Sequence, residues 1–290
     1  MTAIQTLVFG LVTGSYLLVA TMGFALVSRT EKFLNIAHAE LISSAAFITW
    51  YLSTRAGWPL LLAAVAAVVG AAILGVAVGR IVYWPIRRSG AVVLLITSVG
   101  VVYVLHGTLE VIVKPGVYTL NTAGEGVVEI GGIRIGAYDF VIFAAAALSA
   151  FAVHALLTRT EMGLRLRARA SDEALAAARG VDVSQVSTQV WVMSGALAGV
   201  AGVLLGLRGA LTTDIAFDQI LLILSVSIVA GLGSLYGVVV AALALGVAME
   251  MSTLIIPAGY RTAIAFALVI IVLLLRPEGI SGESVRARAA

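Results

Sequence analysis

The chain has 290 residues, 61% of them hydrophobic and 11% charged, with a net charge of +3 and no cysteine. Its mean hydropathy is +1.10. A water-soluble domain carries about 25% charged residues, so this composition excludes a soluble globule, and the missing cysteines exclude disulfides and thiolate metal sites. The basic residues are scattered between apolar blocks without interleaved aromatics, which excludes a nucleic-acid groove.

Residues 1–28 carry no charge. They lack the basic start of a signal peptide and are long enough to span a bilayer, so they are expected to stay as a helix. Further apolar runs follow at 36–54, 58–82, 90–112, 137–158, 185–207, 218–232, 237–256 and 261–275. The run 218–232 is short for a hydrocarbon layer of about 30 Å and reads as re-entrant or broken. Arg29, Glu31 and Lys32 interrupt the first two runs. The expected fold is therefore an all-α polytopic bundle of roughly eight spans, some short or broken, forming one transmembrane domain over 1–290. If the loop 159–183 is cytoplasmic and the spans alternate, thirteen of the 18 Lys and Arg residues fall on that side. This bias places the N-terminus outside and the C-terminus inside.

The first polar feature is FLNIAHAELISS at 33–44. Ionisable groups in membrane segments are costly and mark functions or boundaries. Asn35 reads as the N-cap of the second helix. His38 shares its face, and Glu40, about 200° round the helix from His38, points elsewhere. Two readings stay open. One is a capped helix end whose His38 and Glu40 bond to neighbouring spans. The other is a break over 29–35 that turns a helix N-terminus, and with it Asn35, His38 and Glu40, toward a substrate pathway. His106 and Glu110, four apart, read as a local pair, and Glu250 as a partner of Arg261. Asp214 and Asp218 read as exposed charge.

The outer loop 114–136 contains VVEIGGIRIG, a β-hairpin signature around two glycines. In the cytoplasmic loop 159–183, residues 171–179 read as a short helix. Ser171 is the expected N-cap, with Asp172 and Glu173 in the first turn. Ala174, Leu175 and Ala178 form a small apolar face, and Gly163 and Gly180 set the bends. Gly195, Gly199, Gly202 and Gly206 recur at spacings of four, three and four, a helix-packing pattern in lipid. GLGSLYG at 231–237 marks a sharp turn or a broken helix; a break there would put Gly231 and Gly233 in a transport path.

No GxxxxGK[ST], HExxH or GxSxG motif occurs, so the chain itself is not expected to bind ATP by a phosphate loop or to be an enzyme. The three histidines fall in three different spans, and neither a metal centre nor a cofactor is expected.

Three blocks together resemble the LivH-type permeases, the membrane subunits of ABC importers for branched-chain amino acids and related small polar solutes. They are NIAHAE at 35–40, EMGLRLRARASDEALAAARGVDVSQV at 161–186 followed by ALAGVAGVLLG at 196–206, and GLGSLYGVVVAALALGVAME at 231–250 with LLLRPEGI at 273–280. Ala39 stands where that family usually has Gly, and Ile36 where Phe is common. The resemblance implies an inner-membrane permease working with two ABC ATPase subunits, a second permease subunit of the same or a related kind, and an extracytoplasmic solute-binding protein. It also implies that 159–183 couples to the ATPase, through Gly163, Ser171, Asp172, Glu173, Ala174, Leu175, Ala178 and Gly180. Amides, urea and other small carboxylates stay open as solutes. A stand-alone secondary transporter or channel, or a membrane scaffold, is the alternative of another class.

Overall fold

The computed structural model describes residues 3–120, 126–130 and 132–281. Gly131, Arg286, Arg288 and the C-terminal end lie outside the described residues. The helices are α1 (Ala3–Glu31), α2 (His38–Trp50), α3 (Leu60–Val78), α4 (Trp84–Ile86), α5 (Ala91–Val113), α6 (Ala137–Arg159), α7 (Glu161–Ser171), α8 (Glu173–Ala178), α9 (Val183–Arg208), α10 (Ile215–Ala230), α11 (Leu235–Ser252) and α12 (Arg261–Leu275). Single π-helical turns extend α2 over Tyr51–Arg55 and join α3 to α4 over Gly79–Tyr83. Among the described residues, seven helical stretches are long and apolar enough to cross a membrane. The run expected to be short is α10, whose 16 residues reach about 24 Å.

In lipid, no hydrophobic force drives helices together, so close backbone packing must do it. Gly10 and Gly14 of α1 lie against Val247, Leu243 and Gly246 of α11. Gly195 and Gly199 of α9 lie against Ala71 and Val68 of α3, and Gly202 against Ile42 and Ala45 of α2. The expected glycine ladder thus makes the core. α1 and α9 are its centre, with 78% of their most apolar windows buried, against 11% for the last span. The outer faces of α5 and α12 show Ile96, Val111 and Leu274, which lipid can cover at no cost.

After α1 the chain reverses at Lys32, whose φ is +58°. It runs back along α1 as a buried, non-helical segment containing Phe33, Asn35 and Ala37. α2 then starts where the His38 ring meets the carbonyl of Ala20, 3.0 Å away. Ala20 is eleven residues above the end of α1, so α2 begins about 16 Å inside the bundle. Irregular backbone at that depth must be satisfied by protein. Ser98 Oγ accepts from the Ile36 N–H (3.3 Å), and the Asn35 carbonyl accepts from the His38 N–H (3.1 Å). The expected cap is corrected here: Ala37 occupies the N-cap position without a side-chain bond, and the Asn35 side chain instead accepts from the Tyr83 hydroxyl at 2.9 Å.

At one end of the bundle, β2 (Val127–Ile130) pairs antiparallel with β3 (Ile133–Gly136), Ile130 opposite Ile133, as the Gly-Gly signature predicts. The Gln5 side chain holds it to α1 by accepting from the Arg134 N–H (2.7 Å) and donating to the Arg134 carbonyl (2.6 Å). Strands β1 (Val117–Tyr118) and β4 (Leu211–Thr212) pair beside it.

At the opposite end stands the pair α7–α8. The short helix expected over 171–179 is α8, and a second helix, α7, precedes it. Thr160 caps α7, accepting from the Gly163 N–H, and Asp172 caps α8, accepting from the Leu175 N–H. Ser171 is the last residue of α7 and caps nothing. Asp172 wins because it is the extended residue between the two helices, with its carboxylate three residues before Leu175, whereas Ser171 is still in the last turn of α7. Gly163 is required where α7 folds back on α6, since a Cβ there would strike the carbonyl oxygens of Leu156 and Leu157.

Candidate functional site

The side chains that bear chemistry gather in three places. The first joins α7–α8 to the core. Arg169, 1% exposed, donates from both terminal nitrogens to the Glu31 carboxylate, at 3.0 and 2.9 Å. Ser187 of α9 donates to the same carboxylate at 2.6 Å, and Arg169 Nε reaches Glu173 at 3.3 Å. One buried ion pair thus fastens α1, α7, α8 and α9 together. Nearby, the Trp191 ring stacks on Tyr83 (5.2 Å, 8°) and fills the space left by Gly79. Beyond this anchor α8 is bare. Only Ala176 is buried, Ala174 and Ala178 are exposed, and Leu175 is 57% exposed. Gly180, with φ +85° and open space where a Cβ would stand, makes the turn toward α9.

The second place is a cavity of about 590 Å³ at the hairpin end, lined among others by Thr6, Asp139, Arg208, Glu250, Thr253 and Arg261. Arg208 donates to Thr13 (2.8 Å), Thr13 donates to Glu250 (3.0 Å), and Arg261 pairs with Glu250 at 3.2 Å, the pairing expected from the sequence. The Arg208 guanidinium lies 5.6 Å over the Tyr16 ring. Asp139 accepts from the Gly136 N–H at the start of α6. The cavity therefore presents both cations and carboxylates, which suits a zwitterion.

The third place surrounds His106 on α5. Its Nδ1 faces Glu40 at 3.5 Å, and its Nε2 faces Glu110 at 3.7 Å and Asp214 at 3.6 Å. His106, Glu110 and Asp214 offer ligand atoms within 4.8 Å of one another. The local His106–Glu110 pair is thus part of a larger cluster, and Asp214 belongs to it.

The expected pathway residues do not converge. His38 is a buried strut between the Ala20 carbonyl and Ser194 Oγ (3.3 Å), with its ring against Gly23. Asn35 holds Tyr83, and Glu40 turns to His106. Gly231 and Gly233, at φ +90° and +79°, form the turn of the α10–α11 hairpin, with Gly233 against Arg29 at the α7–α8 end. The closing segment seals that turn. Ile280 and Ser281 donate backbone N–H groups to the Val229 and Ala230 carbonyls, the open end of α10.

Sequence reading missed Glu31, Arg169 and Arg208. Glu31 looked like part of a charged interruption. Arg208 had one local signal, a lone cation closing a 26-residue apolar helix.

Residues 6–273 match the family model described as the branched-chain amino acid transport system / permease component. The high-affinity branched-chain amino acid transport system permease protein LivH of Escherichia coli K12 is 27% identical over 97% of this chain and 96% of its own length. BraD of Pseudomonas aeruginosa, named as the corresponding permease protein, is 28% identical over the same shares. Among solved structures, PsaBC from Streptococcus pneumoniae in complex with Fab superposes with a TM-score of 0.51, covering 99% of this chain and 96% of that one at 13% identity, which is a likeness of fold. With seven apolar helices, a glycine-packed core and a family match over nearly its whole length, this chain is a multi-pass membrane protein of the branched-chain amino acid transport permease family.

Proposed function

We propose that the chain is the translocating subunit of an ATP-driven importer in a bacterial inner membrane, carrying branched-chain amino acids or closely related small polar solutes. It acts with ABC ATPase subunits, a second permease subunit and an extracytoplasmic solute-binding protein. The hairpin end faces outside and α7–α8 faces the cytoplasm, in keeping with the Lys and Arg bias.

The observation that carries this reading is α8: a short helix with exposed Ala174, Leu175 and Ala178, held on the core by the buried Arg169–Glu31 pair. An exposed apolar helix in water is a surface awaiting a partner, and a rigid anchor is what force transmission needs. ATP hydrolysis belongs to the partner subunits; this chain supplies the moving path. The cavity beneath the hairpin fits the solute class. Arg208 and Arg261 match a carboxylate, and Glu250 and Asp139 match an ammonium group.

The test is the variant Ala174→Asp/Leu175→Asp, co-expressed with the partner ATPase and solute-binding protein. Two buried charges at a docking surface are expected to cost several kcal/mol of association. Leucine uptake should fall at least tenfold, and the ATPase should no longer co-purify. Uptake and co-purification at wild-type levels would remove α8 as the docking element.

A further inference from the structure

We infer that His106, Glu110 and Asp214, backed by Glu40, form a binding site for one divalent first-row metal cation. α5 delivers His106 and Glu110 one turn apart on a single face, and the turn between β4 and α10 delivers Asp214. Asp214 holds the N-cap position of α10, yet its side chain makes no capping bond. It turns to His106 Nε2 instead. An Asp that gives up a cap has a competing attraction, and here that attraction is the imidazole cluster.

The second observation is buried. Glu40 is 1% exposed, and neither of its carboxylate oxygens has a hydrogen-bond partner; nor does His106 Nδ1, which faces it. Uncompensated buried carboxylates are expensive. No Lys or Arg among the described residues pairs with Glu40, Glu110 or Asp214. Three carboxylates around one imidazole leave a charge that a cation would balance.

The geometry says where it binds. His106 Nε2 and the two carboxylates lie within 4.8 Å of one another, with Nε2 to carboxylate distances of 3.6 and 3.7 Å, too long for hydrogen bonds. An ion with ligand distances of about 2.0–2.3 Å would fill that gap after small side-chain shifts. On the far side of the ring, Nδ1 points at Glu40. A ligating histidine ordinarily gives its other N–H to a carboxylate, which fixes the tautomer and raises its basicity. Glu40 stands in that position, and the Phe217 ring edge, with centroids 5.0 Å apart, closes one side of the imidazole. One imidazole with carboxylates suits manganese, iron or zinc rather than magnesium. The ion would clasp α5 to the turn before α10 and, through Glu40, to the start of α2.

The test uses the purified full chain in lipid nanodiscs, stripped with chelator and titrated with Mn²⁺ under electron paramagnetic resonance and with Zn²⁺ by calorimetry. One ion should bind per chain with at least one of them. Binding should be lost in His106→Ala and Asp214→Asn, and weakened about 10–100-fold in Glu40→Gln. Asp214 is 76% exposed in its side chain, so its substitution should leave stability close to wild type, and a melting curve of the variant checks this. Glu129→Gln on the hairpin should bind as wild type. Absence of saturable binding of both ions, or unchanged binding in Asp214→Asn, would overturn the site.

Discussion

Arg169→Met is expected to lower stability by about 3–5 kcal/mol, the cost of removing one member of a buried ion pair. The guanidinium is almost fully enclosed and meets the Glu31 carboxylate with two parallel bonds. Removing it leaves that carboxylate with only Ser187 Oγ as a donor among the bonds described. Glu31→Gln should cost a similar amount, because the guanidinium then loses its counter-charge. Arg169→Lys should not rescue, since one ammonium cannot match two oxygens in a plane. The double variant Glu31→Met/Arg169→Met should recover much of the stability, as paired removal leaves no orphaned charge. It should still transport poorly, because α7–α8 then rests on the core without its fixed joint. Thermal melting in detergent with parallel leucine uptake checks both parts. A melting temperature unchanged in Arg169→Met would show that the pair does not hold the element in place.

Gly246→Val should damage the fold comparably, by up to about 3 kcal/mol, at the upper end of overpacking costs. A Cβ at this position would fall on the backbone N and Cα of Gly14 and on the Gly10 carbonyl. Backbone cannot rotate aside as a side chain can, so α11 must move off α1. That movement also separates Thr13 from Glu250 and opens the wall of the hairpin-end cavity. Gly100→Val and Gly107→Val on α5 are the internal controls. Nothing lies within 4 Å of either position, so both should stay within about 0.5 kcal/mol of wild type. Fluorescence-detected size exclusion across temperature separates the cases. Equal loss in Gly100→Val would mean that helix propensity or insertion, and not the α1–α11 contact, sets the effect.

The features legible in the sequence were those that local pattern encodes. Apolar runs located the helices, the Gly-Gly pair located the β2–β3 hairpin, and the spaced glycines of α9 announced close helix packing, whose partners α2 and α3 the fold supplies. Arg261 and Glu250, eleven residues apart, could also be paired by eye. What stayed hidden depends on distant partners. Glu31 and Arg169 are 138 residues apart, and Tyr83 takes Asn35 from across 48. No local signal says that a buried arginine will find a distant glutamate or that an expected N-cap residue will be recruited by a distant hydroxyl. The entry of α2 inside the bundle was only half visible: Arg29 to Asn35 suggested a break, but its depth follows from His38 meeting Ala20. The helix α7 was missed because its arginines resemble an ordinary positive connector, and only burial of Leu166 and Arg169 distinguishes it. His106 gained its full meaning from Glu40 and Asp214, which three separate elements bring together.

The chain contains no cysteine, so a single Leu175→Cys offers a clean probe of the driven end. A membrane-impermeant maleimide should modify it in inverted vesicles and fail to do so in intact cells, and ATPase subunits should shield it in the assembled importer. Modification of Cys-substituted position 175 from outside intact cells, or equal reactivity with and without the ATPase, would contradict a permease worked through α7–α8.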